Sequence, residues 1–349
     1  MQKQNTNNKG RILLPPLALE VLSKFLLTFH FIACPAFLSC TEKNTTDLSS
    51  SQTSLIEFSS KAFTAGNILD IYVYDVDQLE RLDSRMRIKC NGTIPDKIPV
   101  SSRSGRKKVV ALANWSEEEP SWERVNSFNA ICRWMVPLST ESSEAPRMSG
   151  SMIINAGKTT VTKLTLIPIS ARIRLSSVKC DFTGQPYQGA VIENARVYLT
   201  NVCTNSSPFP ESVPGTEFVN IDSYSVADMN VFGAKDKLSR YIYTELGPQK
   251  VKTDIDFYCY ANYGTVDNGG RPPTRLVLEG RIGDKTVYYT VNIGDYTDGA
   301  VRPGYSYNIN LNITKYGTDR PDIPVTGGTI DATVEVIPWE EKEEQIIDY

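Results

Sequence analysis

The chain has 349 residues, with 37 lysines and arginines against 40 aspartates and glutamates and a formal net charge of −3. This mildly acidic balance, with scattered basic residues, argues against a nucleic-acid-binding protein, because such proteins carry clustered lysine and arginine. The single histidine, His30, lies in an amino-terminal segment that we expect to be removed. A mature protein without histidine cannot carry out Ser-His-Asp or Cys-His catalysis, and it cannot bind zinc through imidazole.

The amino terminus has the pattern of a bacterial lipoprotein signal. Basic residues precede an apolar run from Phe25 to Ser39, and Cys40 then opens a polar stretch. The run is shorter than the roughly 20 residues that a membrane-spanning helix needs, and Pro35 interrupts it. We therefore expect residues 1–39 to be cleaved off and Cys40 to carry lipid on a membrane surface. Cys34, which also follows a small residue, remains the alternative lipid site.

Beyond Cys40 the sequence predicts β structure almost throughout. Runs of alternating, β-branched or aromatic residues are separated by clusters of Gly, Pro, Asn and Asp, which favour turns. The predicted strands are 69–74, 108–113, 160–167, 171–175, 194–199, 255–260, 275–280, 286–293, 306–313 and 329–336. One short helix is predicted between Glu118 and Arg133, where apolar residues recur at helical spacing: Trp122, Val125, Phe128 and Ile131.

The length of the mature chain predicts two domains. About 310 residues are too many for one typical β-sandwich. A boundary is expected near Ile167-Pro168-Ile169, where one apolar strand ends and another begins. We therefore predict an all-β protein with two tandem β-sandwich domains, 62–167 and 168–349, the short helix lying in the first. The residues before them, 40–61, are predicted to form a lipidated tether.

The sequence predicts no catalytic, metal or cofactor site. The cysteines after Cys40 are odd in number and lack C-x-x-C spacing, so we predict small buried apolar side chains at Cys90, Cys132, Cys180, Cys203 and Cys259. The basic run 103–108 could bind phosphate, but its position before a predicted strand favours a solvated turn. Asp267-Asn-Gly-Gly270 favours a hairpin turn over a calcium loop.

Several segments, taken in order, resemble the fimbrilins, the subunits of type V pili. The resemblance spans about Phe58 to Trp339 and is strongest near the end, in Val301-Arg-Pro-Gly-Tyr-Ser-Tyr-Asn-Ile-Asn-Leu-Asn-Ile-Thr314 and Val334-Glu-Val-Ile-Pro-Trp339. The other matching segments are 60–63, 69–75, 108–114, 146–150, 168–175, 256–262 and 317–322. The family implies transthyretin-like β-sandwich domains and a structural, non-enzymatic role in adhesion and colonisation.

The resemblance also implies an assembly chemistry. Fimbrilins are exported as outer-membrane lipoproteins, and an extracellular trypsin-like protease cuts after a basic residue just beyond the first strand. The matching position here is Lys61, before Ala62. The cut would release the lipid together with the first strand, whose apolar residues are Leu55, Ile56 and Phe58. The groove left behind would accept a strand from another pilin subunit, and a cell-surface fimbrium would grow from like and minor subunits.

The last predicted strand is a candidate for the donated strand. Ile330, Ala332, Val334 and Val336 alternate with polar residues and share one face, as a strand with one buried face requires. Burial of such side chains and main-chain pairing in an empty groove would both favour insertion. The alternative, from the residues alone, is an ordinary edge strand of the second domain.

Two other functions remain open. Fimbrilins usually carry arginine where this chain has Lys61, so the cut need not occur, and the subunit would then stay lipidated as an anchor at the pilus base. A glycan-binding surface lipoprotein would also be a lipidated pair of β-sandwiches, with exposed aromatic rings as its stacking platform.

Overall fold

The computed structural model describes residues 52–59, 68–90, 97–157, 161–233, 235–264, 271–294, 299–325 and 329–338. The strands before Ser170 are β1 (Gln52–Ser59), β2 (Ile68–Asp75), β3 (Arg81–Lys89), β4 (Lys97–Ser102), β5 (Gly105–Ala113), β6 (Val136–Pro137), β7 (Met148–Ala156), β8 (Val161–Thr165) and β9 (Ile167–Pro168). They are followed by β10 (Ser170–Cys180), β11 (Glu193–Thr200), β12 (Val202–Cys203), β13 (Asn205–Ser206), β14 (Phe218–Val219), β15 (Ser239–Ile242), β16 (Val251–Tyr260), β17 (Arg275–Ile282), β18 (Lys285–Asn292), β19 (Tyr305–Ile313) and β20 (Ile330–Pro338). The helices are α1 (Trp122–Val125), α2 (Phe128–Cys132) and α3 (Val226–Phe232), with 3-10 turns at Leu138–Thr140 and Lys235–Lys237.

Two sheets form the amino-terminal half. One has the strand order β4-β1-β8 and the other β3-β2-β5-β7-β9. Alternate residues of both sheets point inward and pack into one apolar cluster that includes Ile56, Ile98, Leu164, Ile71 and Val109. The prediction of an all-β sandwich architecture is confirmed.

Two further sheets form the carboxyl-terminal half, with the orders β16-β10-β19-β20 and β15-β11-β17-β18. Their shared core contains Ile173, Ile309, Val197 and Leu278. The same cluster continues onto the outer face of the amino-terminal sheet, where it includes Tyr74. The two pairs of sheets are therefore joined by buried apolar contacts, and the chain crosses from one pair to the other between β9 and β10.

The predicted single helix between Glu118 and Arg133 is wrong in its extent. The segment forms α1 and α2, separated at Asn126 and Ser127. The backbone there pairs with the start of β3, through Leu82 N to Asn126 O at 3.0 Å, and the Ser127 hydroxyl caps α2 by accepting from Ala130 N. Trp122, placed on the predicted apolar face, is 59% exposed. Tertiary pairing thus interrupts the helix that the apolar spacing favoured.

A polar network also joins the two halves. The buried carboxylate of Glu141 accepts from Arg147 Nη1 at 2.9 Å and from the Tyr260 hydroxyl, on β16, at 3.0 Å. Lys237 donates to the carbonyl oxygens of Ser139 and Glu141. Because an unpaired buried charge is costly, these contacts favour one arrangement of the segment between β6 and β7 against the second half.

Candidate functional site: the slot of the first strand

The first strand lies in the middle of its sheet. β1 pairs antiparallel with β4 over Gln52 to Glu57 and parallel with β8 over Leu55 to Ser59. We call the position between β4 and β8 the slot. Without β1, both bordering strands would present unpaired N–H and C=O groups toward it, and such edges readily accept another strand.

The side chains of β1 complete the amino-terminal core. Ile56 is fully buried, and its register partners are Ile98 on β4 and Thr162 on β8. Leu55 and Glu57, on the outer face, are half-buried, and Phe58 lies opposite Leu164 in the parallel register. Full burial of an isoleucine contributes about 1.5–3 kcal/mol, so loss of β1 would leave an apolar opening as well as two free edges.

One end of the slot is polar. Ser54 on β1 and Ser102 on β4 are buried, and neither hydroxyl has a hydrogen-bond partner among the described residues. A buried hydroxyl without a partner loses its contacts with water and gains nothing in return. The Ser54 position is therefore better suited to a small apolar side chain than to serine.

Ser54→Ala is expected to raise the free energy of unfolding by about 1 kcal/mol, because it removes a buried hydroxyl that makes no hydrogen bond. Urea unfolding followed by circular dichroism measures the change. Ser104→Ala, at an exposed position, is the matched control and should shift stability by less than about 0.5 kcal/mol. A destabilised Ser54→Ala protein would show that the hydroxyl does have a partner.

The candidate donor strand lies elsewhere in the fold. β20 is the edge strand of its sheet and pairs antiparallel with β19 over nine positions, from Ile330 to Pro338. Ile330 is buried, Ala332 and Val334 are half-buried against the carboxyl-terminal core, and Val336 is 38% exposed. Within one subunit the structure does not bring β20 and the slot together, because they belong to different sheets.

The remaining predicted site residues lie outside the described residues. These are Cys40, the alternative Cys34, and the cleavage pair Lys61 and Ala62. The turn predicted at Asp267–Gly270 also lies outside the described residues. In sequence, Lys61 is two residues beyond the last residue of β1.

The five remaining cysteines are buried free thiols, as predicted. Burial raises the pKa of Cys132 and Cys203 to about 11 and that of Cys180 to about 12. Thiols with such values are almost wholly protonated at neutral pH and so react poorly. Their role is to pack the core.

Two further features are absent from the described part of the chain. No cluster of three or more His, Cys, Asp or Glu side chains there could hold a metal ion. None of its helices is long and apolar enough to cross a membrane.

Comparison with solved structures identifies the fold. A fimbrilin of Porphyromonas gingivalis matches with a TM-score of 0.57 and 17% identity, over 82% of this chain and 97% of that one. The chain has the fimbrilin fold. A candidate cell adhesion protein of Bacteroides eggerthii matches with a TM-score of 0.60 and 18% identity, over 83% of this chain and 96% of that one. A second candidate cell adhesion protein, from Parabacteroides distasonis, matches with a TM-score of 0.57 and 16% identity, over 83% of this chain and 97% of that one.

Sequence comparison adds nothing to this fimbrilin likeness. No protein-family model matches the chain, and no curated protein matches it. The resemblance predicted from short ordered segments is thus confirmed at the level of the fold. By description, these three structures are a fimbrilin and two candidate cell adhesion proteins.

Proposed function

We propose that this protein is a subunit of a type V fimbrium that polymerises by exchange of β1 for a strand of another subunit. The observation that carries the proposal is the position of β1. It is the first described strand, it is paired on both edges, and it supplies core side chains. A strand so placed can be removed by one cut beyond its end, and its loss opens a site shaped for another strand.

Lys61 is the proposed cleavage position, and Cys40 the proposed lipid site. In this scheme the protein reaches the outer membrane as a lipoprotein, with β1 filling its own slot. While β1 remains covalently attached, its effective concentration at the slot is high and an outside strand competes poorly. After the cut, β1 is a separate short peptide with the lipid on it, and once dissociated it is diluted. Cleavage therefore makes the exchange favourable.

The dimensions of β20 suit the slot. β1 has eight residues and β20 nine. Aligned in the direction of β1, Ala332 takes the position of Ser54, Val334 that of Ile56 and Val336 that of Phe58. The small side chain of Ala332 then meets the polar end of the slot without adding a hydroxyl that lacks a partner.

Exchange replaces one set of contacts of β20 with another. Among the described strands of its own subunit, β20 pairs with β19 alone, whereas in a neighbour's slot it would pair with both β4 and β8. Val334 and Val336, which are half-buried and exposed in the free subunit, would become core residues. The loss of the β19 pairing and of the Ile330 burial opposes these gains. The balance favours insertion because each insertion adds a second paired edge and more apolar burial for the donor.

Glycan binding has one observation in its favour. Tyr241 on β15 and Tyr243 just after it are 57% and 94% exposed, with ring centroids 6.3 Å apart. Their planes are inclined by 33°, so the two rings do not form one flat stacking surface. The buried but removable β1 is the stronger feature, and we favour the pilin function.

The mature amino terminus tests the proposal. Protein taken from the surface of the producing cell is expected to begin at Ala62 and to run as a ladder of oligomers on a gel when samples are not boiled. A lipidated Cys40 terminus with no ladder would contradict the polymerising subunit and support the membrane anchor at the pilus base.

A further inference from the structure

A lysine is fully buried on the inner face of the five-stranded sheet. Lys107 on β5 has no exposed surface and lies on the same face as Val109 and Ala111, which belong to the amino-terminal core. Lysine is almost never fully buried unless its charge is paired. The run 103–108 is therefore not the solvated turn that the sequence favoured, since one of its basic residues points into the sandwich.

Two carboxylates hold the amine of Lys107. Its Nζ lies 2.8 Å from Asp75 Oδ2 and 3.2 Å from Asp83 Oδ2. Asp75 is the direct register partner of Lys107 across β2 and β5. Asp83 sits at a bulge in β3, where the register with β2 shifts between Val73 and Tyr74. The bulge turns Asp83 toward the amine, so three neighbouring strands each contribute one group.

Arg103 makes close hydrogen bonds with one of the two carboxylates and lies farther from the other. Its Nε lies 2.5 Å from Asp83 Oδ1, and its backbone N–H donates to Asp83 Oδ2 at 2.8 Å. Burial raises the pKa of Asp83, but these hydrogen bonds and that from Lys107 outweigh burial and hold the pKa below its usual value. Asp75 is 3.8 Å from the Arg103 guanidinium and accepts one backbone N–H, from Asp77 at 3.2 Å. Asp83 is thus held as an anion, whereas Asp75 has the amine as its nearest cation.

We propose that Lys107 and Asp75 condense to form an intramolecular amide bond. Transfer of one proton from Lys107 Nζ to Asp75 Oδ2 gives a neutral amine and a neutral carboxylic acid in contact. The amine nitrogen then bonds to Cγ of Asp75, and Asp83 accepts a second proton from that nitrogen. Asp83 passes this proton to the departing hydroxyl, which leaves as water. One C–N bond forms, one C–O bond breaks, and the ammonium and carboxylate are converted to an amide and one water.

Placement and burial both favour this reaction. The reacting groups are held in contact by paired strands, which replaces a bimolecular encounter with an intramolecular one of high effective concentration. Burial also disfavours the ion pair relative to neutral species, and an amide removes two buried charges at once. The product would tie β2 to β5, the strands at the centre of the sheet that faces the slot. Formation of this amide does not depend on strand exchange.

Tryptic peptide mapping of the protein purified from its producing cells tests the bond. Trypsin does not cut after an acylated lysine, so the expected product is a branched peptide in which residues 62–81, containing Asp75, carry residues 107–108. Its mass should be the sum of the two peptides less one water. Recovery of residues 62–81 as an unmodified linear peptide, with cleavage after Lys107, would overturn the proposal.

Substitutions distinguish the amide from a chance adduct. Asp75→Asn should give the identical branched peptide, because condensation with an asparagine releases ammonia in place of water. Asp75→Ala and Lys107→Arg should give linear peptides only. Asp83→Ala keeps both reacting residues and should slow the appearance of the branched peptide at least tenfold when newly synthesised protein is followed over time in a cell-free translation mixture. A branched peptide that persists in Asp75→Ala would overturn the assignment of Asp75, and unchanged formation in Asp83→Ala would overturn the role given to Asp83.

Discussion

The double substitution Thr53→Cys and Ser101→Cys is expected to abolish fibre assembly in oxidising buffer and to restore it on reduction. Thr53 and Ser101 are exposed and face each other across β1 and β4. Antiparallel partners lie about 4.5–5.5 Å apart between Cα atoms, within the range that a disulfide spans. The bond would hold β1 in its slot even after the cut beyond Lys61, so no donor strand could enter.

The measurement compares the same cleaved protein before and after reduction. Amino-terminal sequencing establishes that the cut has occurred, and unboiled gels report the oligomer ladder. Arg281→Cys with Thr286→Cys is the matched control, since these exposed register partners tie β17 to β18 and leave β1 free. Equal ladders from cleaved protein with and without the β1–β4 disulfide would show that β1 need not leave its slot.

Val336→Asp is expected to prevent the protein from donating a strand while leaving it able to accept one. Val336 is 38% exposed in the subunit, so a carboxylate there should change the free energy of unfolding by about 0.5 kcal/mol or less. In a neighbour's slot the same side chain would face the core, where an unpaired charge costs several kcal/mol. That difference is large enough to reduce polymer formation by about two orders of magnitude or more.

Mixing experiments separate the two roles. Cleaved Val336→Asp protein should form no ladder alone, but should add to a wild-type polymer that offers its terminal strand. Thr333→Asp, on the exposed outer face of the same strand, is the control and should assemble normally. Normal ladders from Val336→Asp alone would show that β20 is not the inserted strand.

Local sequence patterns predicted most of the fold. Each predicted strand lies on a strand of the structure, because alternating or uniformly apolar runs such as those of β2, β10 and β19 report burial directly. Local sequence patterns do not predict strands that carry charged residues at many positions. β3 contains three arginines and an aspartate yet pairs along its length with β2, and only its tertiary partner explains its conformation.

The candidate site could be predicted only in part. The alternation of β20 is a local feature and could be recognised, whereas β1 was expected only because of the resemblance to the fimbrilins. The burial of Lys107 could not, because its partners Asp75 and Asp83 are distant in sequence and one of them reaches it through a bulge. No residue pattern within 103–108 distinguishes a lysine that points into a sandwich from one that points into water.

The mixed pairing of β1 has a consequence for the symmetry of the assembly. One border of the slot runs parallel to β1 and the other antiparallel, so an incoming strand keeps the same hydrogen-bond pattern only in the direction of β1. The strand that would enter belongs to a different sheet from the one that receives it. A contact of that kind joins two unlike surfaces and does not close into a two-fold dimer. Repeated without closing into a ring, it would make an open filament in which every subunit has the same orientation. The two ends of that filament would be chemically different, one with an empty slot and one with an undonated strand.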